Sequence, residues 1–173
     1  SMFFVLLILC LCRSQSPRLV IASAFDREYD IADIKIDEAE NVADRIIFCE
    51  SDKTQAGYPR PQRLPLLKHK HKTIETYKTT CNSKDRDYKL GWKCENAPRL
   101  CAAKFACEGE PGSTVVVLSD LDEIIDHNAL LRLKQTPFPS NAKFDLGARM
   151  AVFMYGFFWE FPGRRYSTAS AYQ

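Results

Sequence analysis

Thr114-Val115-Val116-Val117-Leu118 runs without a break into Ser119-Asp120-Leu121-Asp122-Glu123. The first half is short, β-branched and apolar at every position after the threonine. Such a run predicts a strand buried on both faces, the kind found in parallel sheets covered by helices. The second half places three carboxylates within four residues directly after that strand. In open α/β sheets, ligands bind beyond the carboxyl ends of the strands. Carboxylates crowded at such an edge repel one another, and they are tolerable where a cation sits between them and an anionic ligand. Oxygen ligands of this kind suit Mg²⁺ or Mn²⁺. Asp120 and Asp122 point to one side if strand geometry persists beyond Ser119. The bland alternative is an acidic turn that caps the next helix.

Working back from this strand, Glu108-Gly109-Glu110-Pro111-Gly112 is a stop. Before it, Asn96-Ala97-Pro98 predicts a helix start, with Ala97, Leu100, Cys101 and Phe105 on one apolar face. Leu19-Val20-Ile21-Ala22-Ser23-Ala24-Phe25 and Arg45-Ile46-Ile47-Phe48-Cys49 are two more buried strands, the second ending in Glu50-Ser51. Between them, residues 30–39 predict a helix, with Asp30 as a possible N-cap and Ile31, Ile34 and Glu38 at helical spacing. Gly57-Tyr58-Pro59-Arg60-Pro61 must be loop. Downstream, residues 128–134 predict a short helix. Residues 144–154 alternate with period two, putting Phe144, Leu146, Ala148, Met150, Val152 and Met154 on one face. Apolar strands alternating with helices predict an α/β sheet covered on both faces.

With 173 residues the chain is expected to form one domain. At 46% hydrophobic and 27% charged residues it is not intrinsically disordered, collagenous or a polytopic membrane protein. Met2 opens eleven apolar residues that end at Arg13. A membrane span needs about 20 and a signal-peptide core about 7–15. Residues 1–16 are therefore expected to be a signal peptide or the end of a signal anchor, with a buried strand as the rival, and residues 17–173 the folded domain. Ser170-Ala171-Tyr172-Gln173 resembles a cut more than an ending.

A net charge of +2 gives no argument for nucleic acid. Charge is nonetheless segregated: residues 26–52 hold ten acidic and three basic side chains, and residues 53–104 thirteen basic and four acidic. Lys68-His69-Lys70-His71-Lys72 is the centre of the basic part. It lacks interleaved aromatics for base stacking, and three lysines make its histidine pair a poor metal site. Of seven cysteines, five follow the leader, so at least one of these is expected to be unpaired. Cys49, in a buried strand, is the expected free thiol, and a bridge is expected within residues 81–107.

Four blocks, in order, give the chain a resemblance to the family 17 glycosyltransferases. Tyr29-Asp30-Ile31, Asp33-Ile34-Lys35, Glu38, Val42, Asp44 and Cys49-Glu50-Ser51 form the first. Glu50-Ser51-Asp52-Lys53-Thr54-Gln55-Ala56-Gly57-Tyr58-Pro59-Arg60-Pro61 is similar to E-S-N-x-T-x-x-G-x-P-R-P. Asp120-Leu121-Asp122-Glu123-Ile124 is similar to D-x-D-E-I, and Tyr155-Gly156-Phe157-Phe158-Trp159-Glu160-Phe161-Pro162-Gly163 to Y-G-F-F-W-x-x-P-G. Asp52, Lys35 and Ile125 replace the family's usual Asn, Arg and Pro. Family members continue well past the last block, so a C-terminally incomplete catalytic domain is expected.

The resemblance implies a GT-A-like fold with a mostly parallel central sheet. It implies UDP-GlcNAc as donor and a mannose of an N-glycan as acceptor, with N-acetylglucosamine transferred in β-1,4 linkage with inversion. It implies Mn²⁺ or Mg²⁺, held by Asp122 with Asp120 on the metal or the ribose. Ala24, Phe25, Glu50 and Ser51 stand at strand ends where uridine would bind, and Arg60 is a candidate for a phosphate. Glu123 is a candidate base or a helix cap. Tyr155, Phe158 and Trp159 either stack on a sugar or belong to the core. The Golgi lumen is the expected location, with membrane contact only through the N-terminal segment and no nucleic acid partner. Two other readings remain: a pseudo-transferase that keeps sugar-nucleotide binding or serves only as an interaction module, and an aspartyl-phosphate phosphatase.

Overall fold

The computed structural model describes residues 17–54, 57–64, 74–81, 91–109, 114–137, 143–148, 151–154, 157–160 and 166–172. In chain order the elements are β1 (Arg18–Phe25), α1 (Tyr29–Ala39), β2 (Arg45–Ser51), β3 (Ile74–Thr79), α2 (Gly91–Cys107) and β4 (Thr114–Ser119). They continue with α3 (His127–Gln135), β5 (Lys143–Ala148), β6 (Ala151–Met154), β7 (Phe157–Glu160) and β8 (Tyr166–Tyr172).

Six strands form one sheet in the order β3-β2-β1-β4-β8-β5. The first four are parallel to one another, while β8 runs antiparallel to both β4 and β5. The fold is α/β with a mostly parallel sheet, as the apolar strands required, and its architecture is compatible with GT-A. From β1 the chain steps one way to β2 and β3, then returns to the other side of β1 for β4. That reversal opens a crevice at the carboxyl ends of β1 and β4, where α/β sheets bind ligands.

Alternate side chains of the central strands supply two separate cores. Leu19, Ile21, Phe25, Ile46, Phe48, Val115 and Val117 pack under α1 and α3, through Ala32, Ile36, Ala39 and Leu130. Val20, Ala22, Ile47, Cys49 and Val116 pack under α2, through Cys101, Ala102 and Ala106. Each face of β1 is therefore dry, which explains why its sequence does not alternate. Truncating Ile36, which is fully buried, to alanine would cost about 2–5 kcal/mol.

Several expectations need correction. Helix α2 starts at Gly91 and carries Pro98 inside it, rather than beginning there. Proline removes one N–H and crowds the preceding turn. The turn ahead of it is fastened by the Cys81–Cys94 disulfide. Of the expected face, Cys101 and Phe105 do pack on the sheet, beside Ala102 and Ala106, but Leu100 is 70% exposed. Ile34 is likewise exposed, and α1 buries Ala32, Lys35, Ile36 and Ala39. Glu28, not Asp30, stands at its N-cap and makes no side-chain cap. The period-two stretch is two strands in different sheets, β5 beside β8 and β6 beside β7. Cys49 is no free thiol: it is bonded to Cys101, and among the described cysteines Cys107 is the free one. The Cys81–Cys94 bridge lies within the expected segment. Residues 1–16 and the basic run at residues 68–72 lie outside the described residues. No helix among the described residues is long and apolar enough to cross a membrane.

Candidate functional site

At the carboxyl edge of the sheet lies a cavity of about 410 Å³. Among the described residues, four stretches of chain wall it. The end of β1 contributes Ala24, Phe25 and Asp26, with Glu28 after it; the loop after β2 contributes Lys53 and Arg60. Helix α2 supplies Cys94, Glu95, Pro98 and Arg99, and the turn after β4 supplies Asp120, Leu121 and Asp122.

The turn after β4 is fixed from below. Lys35 rises from α1 and is only 3% exposed. Its ammonium donates to Ser119 Oγ at 2.7 Å and to the carbonyls of Asp120 at 2.6 Å and Glu123 at 3.0 Å. Three donors meet three acceptors, so the buried polar group is satisfied. Burial pushes its pKa down to about 8, against the opposing pull of Glu123, Asp120 and Asp122. From the other end, the Glu123 carboxylate accepts from the Asp120 backbone N–H at 2.8 Å. Burial raises the Glu123 pKa. Glu123 is thus a brace of the turn and does not line the cavity.

The two aspartates differ in their surroundings. Asp120 meets the guanidinium of Arg99 in a fork, Nε to Oδ1 and Nη2 to Oδ2, both at 2.7 Å. Arg99 Nη1 also donates to Glu95 at 2.8 Å, one turn back on the same helix. The Asp120 carboxylate beside it holds the Arg99 pKa above its ordinary value. Asp122 is exposed on the same wall, and its carboxylate has no hydrogen bond or ion pair among the described residues.

Arg60 is placed by its loop. Gly57 adopts φ +80°, where a side chain would be strained, and donates to the Thr54 carbonyl at 2.8 Å. The chain then folds back so that Lys53 bridges Pro59. The Arg60 side chain is nearly buried and donates to the Ser51 carbonyl at 2.8 Å, to the Phe25 carbonyl at 3.5 Å and to Asp26. It ties the ends of β1 and β2 together at the cavity wall.

Of the other expected residues, Ala24 and Phe25 do reach the cavity. The Phe25 ring is core, 5.3 Å from Tyr29 and 6.2 Å from Phe48 between centroids. Glu50 and Ser51 do not line it. Glu50 is fully buried and accepts from the backbone N–H groups of Arg63 and Leu64 at 2.7–2.8 Å. A buried carboxylate there caps the chain that follows Arg60. Tyr155 and the side chains of Phe158 and Trp159 lie outside the described residues. Arg99, Glu95 and Lys35 were not among the expected site residues. The fork on Asp120 depends on α2 reaching the sheet edge, which spacing alone does not reveal.

Among the described residues, no three ligating side chains converge to hold a metal. The donor set fits a hard cation that arrives with its own oxygen ligands. Such ions use one or two carboxylates and complete their shell from phosphates and water. Asp122 is open to that role, whereas both oxygens of Asp120 are taken by Arg99. Among the described residues, the wall carries three cationic side chains, Lys53, Arg60 and Arg99, against five acidic ones, Asp26, Glu28, Glu95, Asp120 and Asp122.

The family model described as Glycosyltransferase family 17 matches residues 10–172. The chain belongs to that family. Among curated proteins it is similar to the β-1,4-mannosyl-glycoprotein 4-β-N-acetylglucosaminyltransferases of Rattus norvegicus and Homo sapiens. Each is 27% identical over 163 residues, covering 85% of this chain but 28% and 29% of the relatives. The family 17 chain thus spans less than a third of the relatives it matches. No solved structure matches it.

Proposed function

We propose that this family 17 chain binds UDP-N-acetylglucosamine in the cavity between β1 and β4. The sugar is passed to a mannose of an N-glycan in β-1,4 linkage. The observation that carries the reading is the carboxylate of Asp122, without a partner among the described residues, on a cavity wall whose described side chains are more acidic than basic. A diphosphate does not enter such a wall unaided, and a divalent cation reconciles the two. The Golgi lumen follows from this substrate pair, and the disulfides are consistent with an oxidising compartment.

A β-linkage from an α-linked donor calls for one in-line displacement by the acceptor hydroxyl. When bound, the cation supplies charge stabilisation for the departing diphosphate. Asp122 and Asp120 would hold it. Arg60 fixes the edge against which the nucleotide rests, and Lys35 keeps the aspartate turn from shifting as charge builds. A rigid strand end holds a carboxylate within the tolerance such a site demands. Proton transfer from the acceptor needs a carboxylate on the wall, an effect typically of about 10²–10⁴-fold. Glu123 faces its own backbone and Asp122 is given to the cation, so Glu28 is the better choice.

Calorimetry of UDP with and without Mn²⁺, followed by a transfer assay on N-glycan acceptors, tests the reading. Metal-dependent UDP binding supports it, and nucleotide binding that ignores Mn²⁺ contradicts it. A second reading is favoured by the hold of Arg99 on both oxygens of Asp120. It is a pseudo-transferase that binds the sugar nucleotide but completes no transfer. Metal-dependent UDP binding without turnover selects it.

A further inference from the structure

Arg99 sits between two covalent anchors of its helix. Cys94 ties α2 to Cys81 beyond β3, and Cys101 ties it to Cys49 in β2. The backbone that carries Arg99 is thereby held, and its side chain is left to move. That side chain is about one-third exposed and lines the cavity. Two of its nitrogens embrace both oxygens of Asp120 at 2.7 Å, and the third meets Glu95. Arg60, on the same wall, differs in kind: two of its nitrogens are spent on the backbone carbonyls of Ser51 and Phe25. Arg60 is a rivet, whereas Arg99 is held mainly by carboxylates.

We propose that Arg99 is a resident counter-ion of Asp120 that a divalent cation must displace, and that the freed guanidinium then meets the diphosphate. This rests on the metal-dependent nucleotide reading given above. The charges support the exchange. Before it, the guanidinium neutralises Asp120. After it, a divalent cation faces Asp120 and Asp122, while Arg99 offers its planar fork to phosphate oxygens, which match it as well as a carboxylate does. The cation alone must evict Arg99 without giving it a new partner. The cation with a diphosphate supplies that partner. Metal and nucleotide should therefore strengthen each other's binding, a coupling that is reciprocal by linkage.

The test is a Mn²⁺ titration of the full chain followed by electron paramagnetic resonance, with and without UDP, for the wild type, Arg99→Gln and Arg99→Lys. The wild type is expected to take Mn²⁺ weakly alone and at least tenfold more tightly with UDP. Arg99→Gln should take Mn²⁺ alone at least tenfold more tightly than the wild type, and UDP should add clearly less than it does in the wild type, because only direct ligation of the cation by phosphate remains. Arg99→Lys keeps the charge but loses the fork, so it should fall between them, and it serves as the second variant if glutamine impairs folding. Wild-type coupling that persists unchanged in both variants overturns the counter-ion role and leaves the nucleotide reading standing. Failure of every form to take Mn²⁺, with or without UDP, overturns the metal-dependent reading and this inference together.

Discussion

The ammonium of Lys35 lies 2.6 Å from the backbone carbonyl of Asp120 and bonds to no carboxylate of the turn it supports. A helix thus grips the candidate site by its main chain, and the exposed carboxylate of Asp122 stays available to ligands. Removing the grip as Lys35→Met orphans two carbonyls and a hydroxyl. The expected cost is about 1–3 kcal/mol near neutral pH, reduced by relief of a buried charge. The pH dependence has a definite sign. With a folded pKa near 8 against an ordinary 10.5, Lys35 binds fewer protons folded than unfolded within that window. Its contribution to stability therefore rises as pH climbs from 8 towards 10.5. Urea melts should show the wild type pulling away from Lys35→Met between those limits. A constant gap would mean that Lys35 titrates at its ordinary value.

Asp122→Asn is nearly isosteric and removes charge from a side chain without a described partner. The fold should keep its stability, or gain slightly, because Asp120, Asp122 and Glu123 repel one another without a cation. Mn²⁺-supported UDP binding should fall tenfold or more, equivalent to about 1.4 kcal/mol per tenfold. Paired thermal melts with and without Mn²⁺ and UDP read both effects. A mutant that keeps the full ligand-induced rise in Tm removes Asp122 from the metal.

Glu50→Gln separates a structural carboxylate from a nucleotide ligand. Glu50 accepts from Arg63 and Leu64 N–H groups and does not touch the cavity. Replacing it should cost about 2 kcal/mol, as for loss of a charged acceptor facing buried donors. UDP binding should weaken only modestly, through loosening of the chain next to Arg60. Unchanged stability with collapsed binding would place Glu50 on the uridine after all.

The disulfide pattern is open to peptide mapping. Alkylation of unreduced protein should label Cys107 and spare Cys49, Cys81, Cys94 and Cys101. Replacing Cys49 and Cys101 together by serine should destabilise by about 2–5 kcal/mol. Free thiols at Cys49 and Cys101 in the mapped protein would remove the bridge between β2 and α2.

Much of the fold was legible because burial on both faces leaves a plain signature. Leu19 to Phe25, Arg45 to Cys49 and Thr114 to Leu118 announced β1, β2 and β4, and the D-x-D beyond β4 announced a ligand edge. β3 escaped because it lies at the edge of the sheet, where Glu75, Tyr77 and Lys78 alternate with little apolar content. β8 escaped for the opposite reason: Tyr166–Tyr172 is made of small and polar residues yet pairs between β4 and β5. Asp120 and Asp122 were found as a pair, but their different partners were not. That difference comes from Arg99, twenty-one positions back. Nor does spacing distinguish a buried lysine such as Lys35 from a solvated one on the same helix. Only the packed neighbours of each residue decide such matters, and those are set by tertiary structure.

β1 is the earliest described strand in the chain, yet it stands inside the sheet between β2 and β4. On a ribosome it emerges long before Thr114 does. Until then one of its margins has hydrogen-bonding groups without a mate, bordered by Leu19, Val20 and Ile21. Unpaired apolar strand margins invite pairing with other chains. The interval between synthesis of β1 and arrival of β4 is therefore one in which that margin is open to wrong partners. The residues that close it are the ones that lead into Asp120 and Asp122, so pairing the second margin of β1 and assembling the ligand edge are one event.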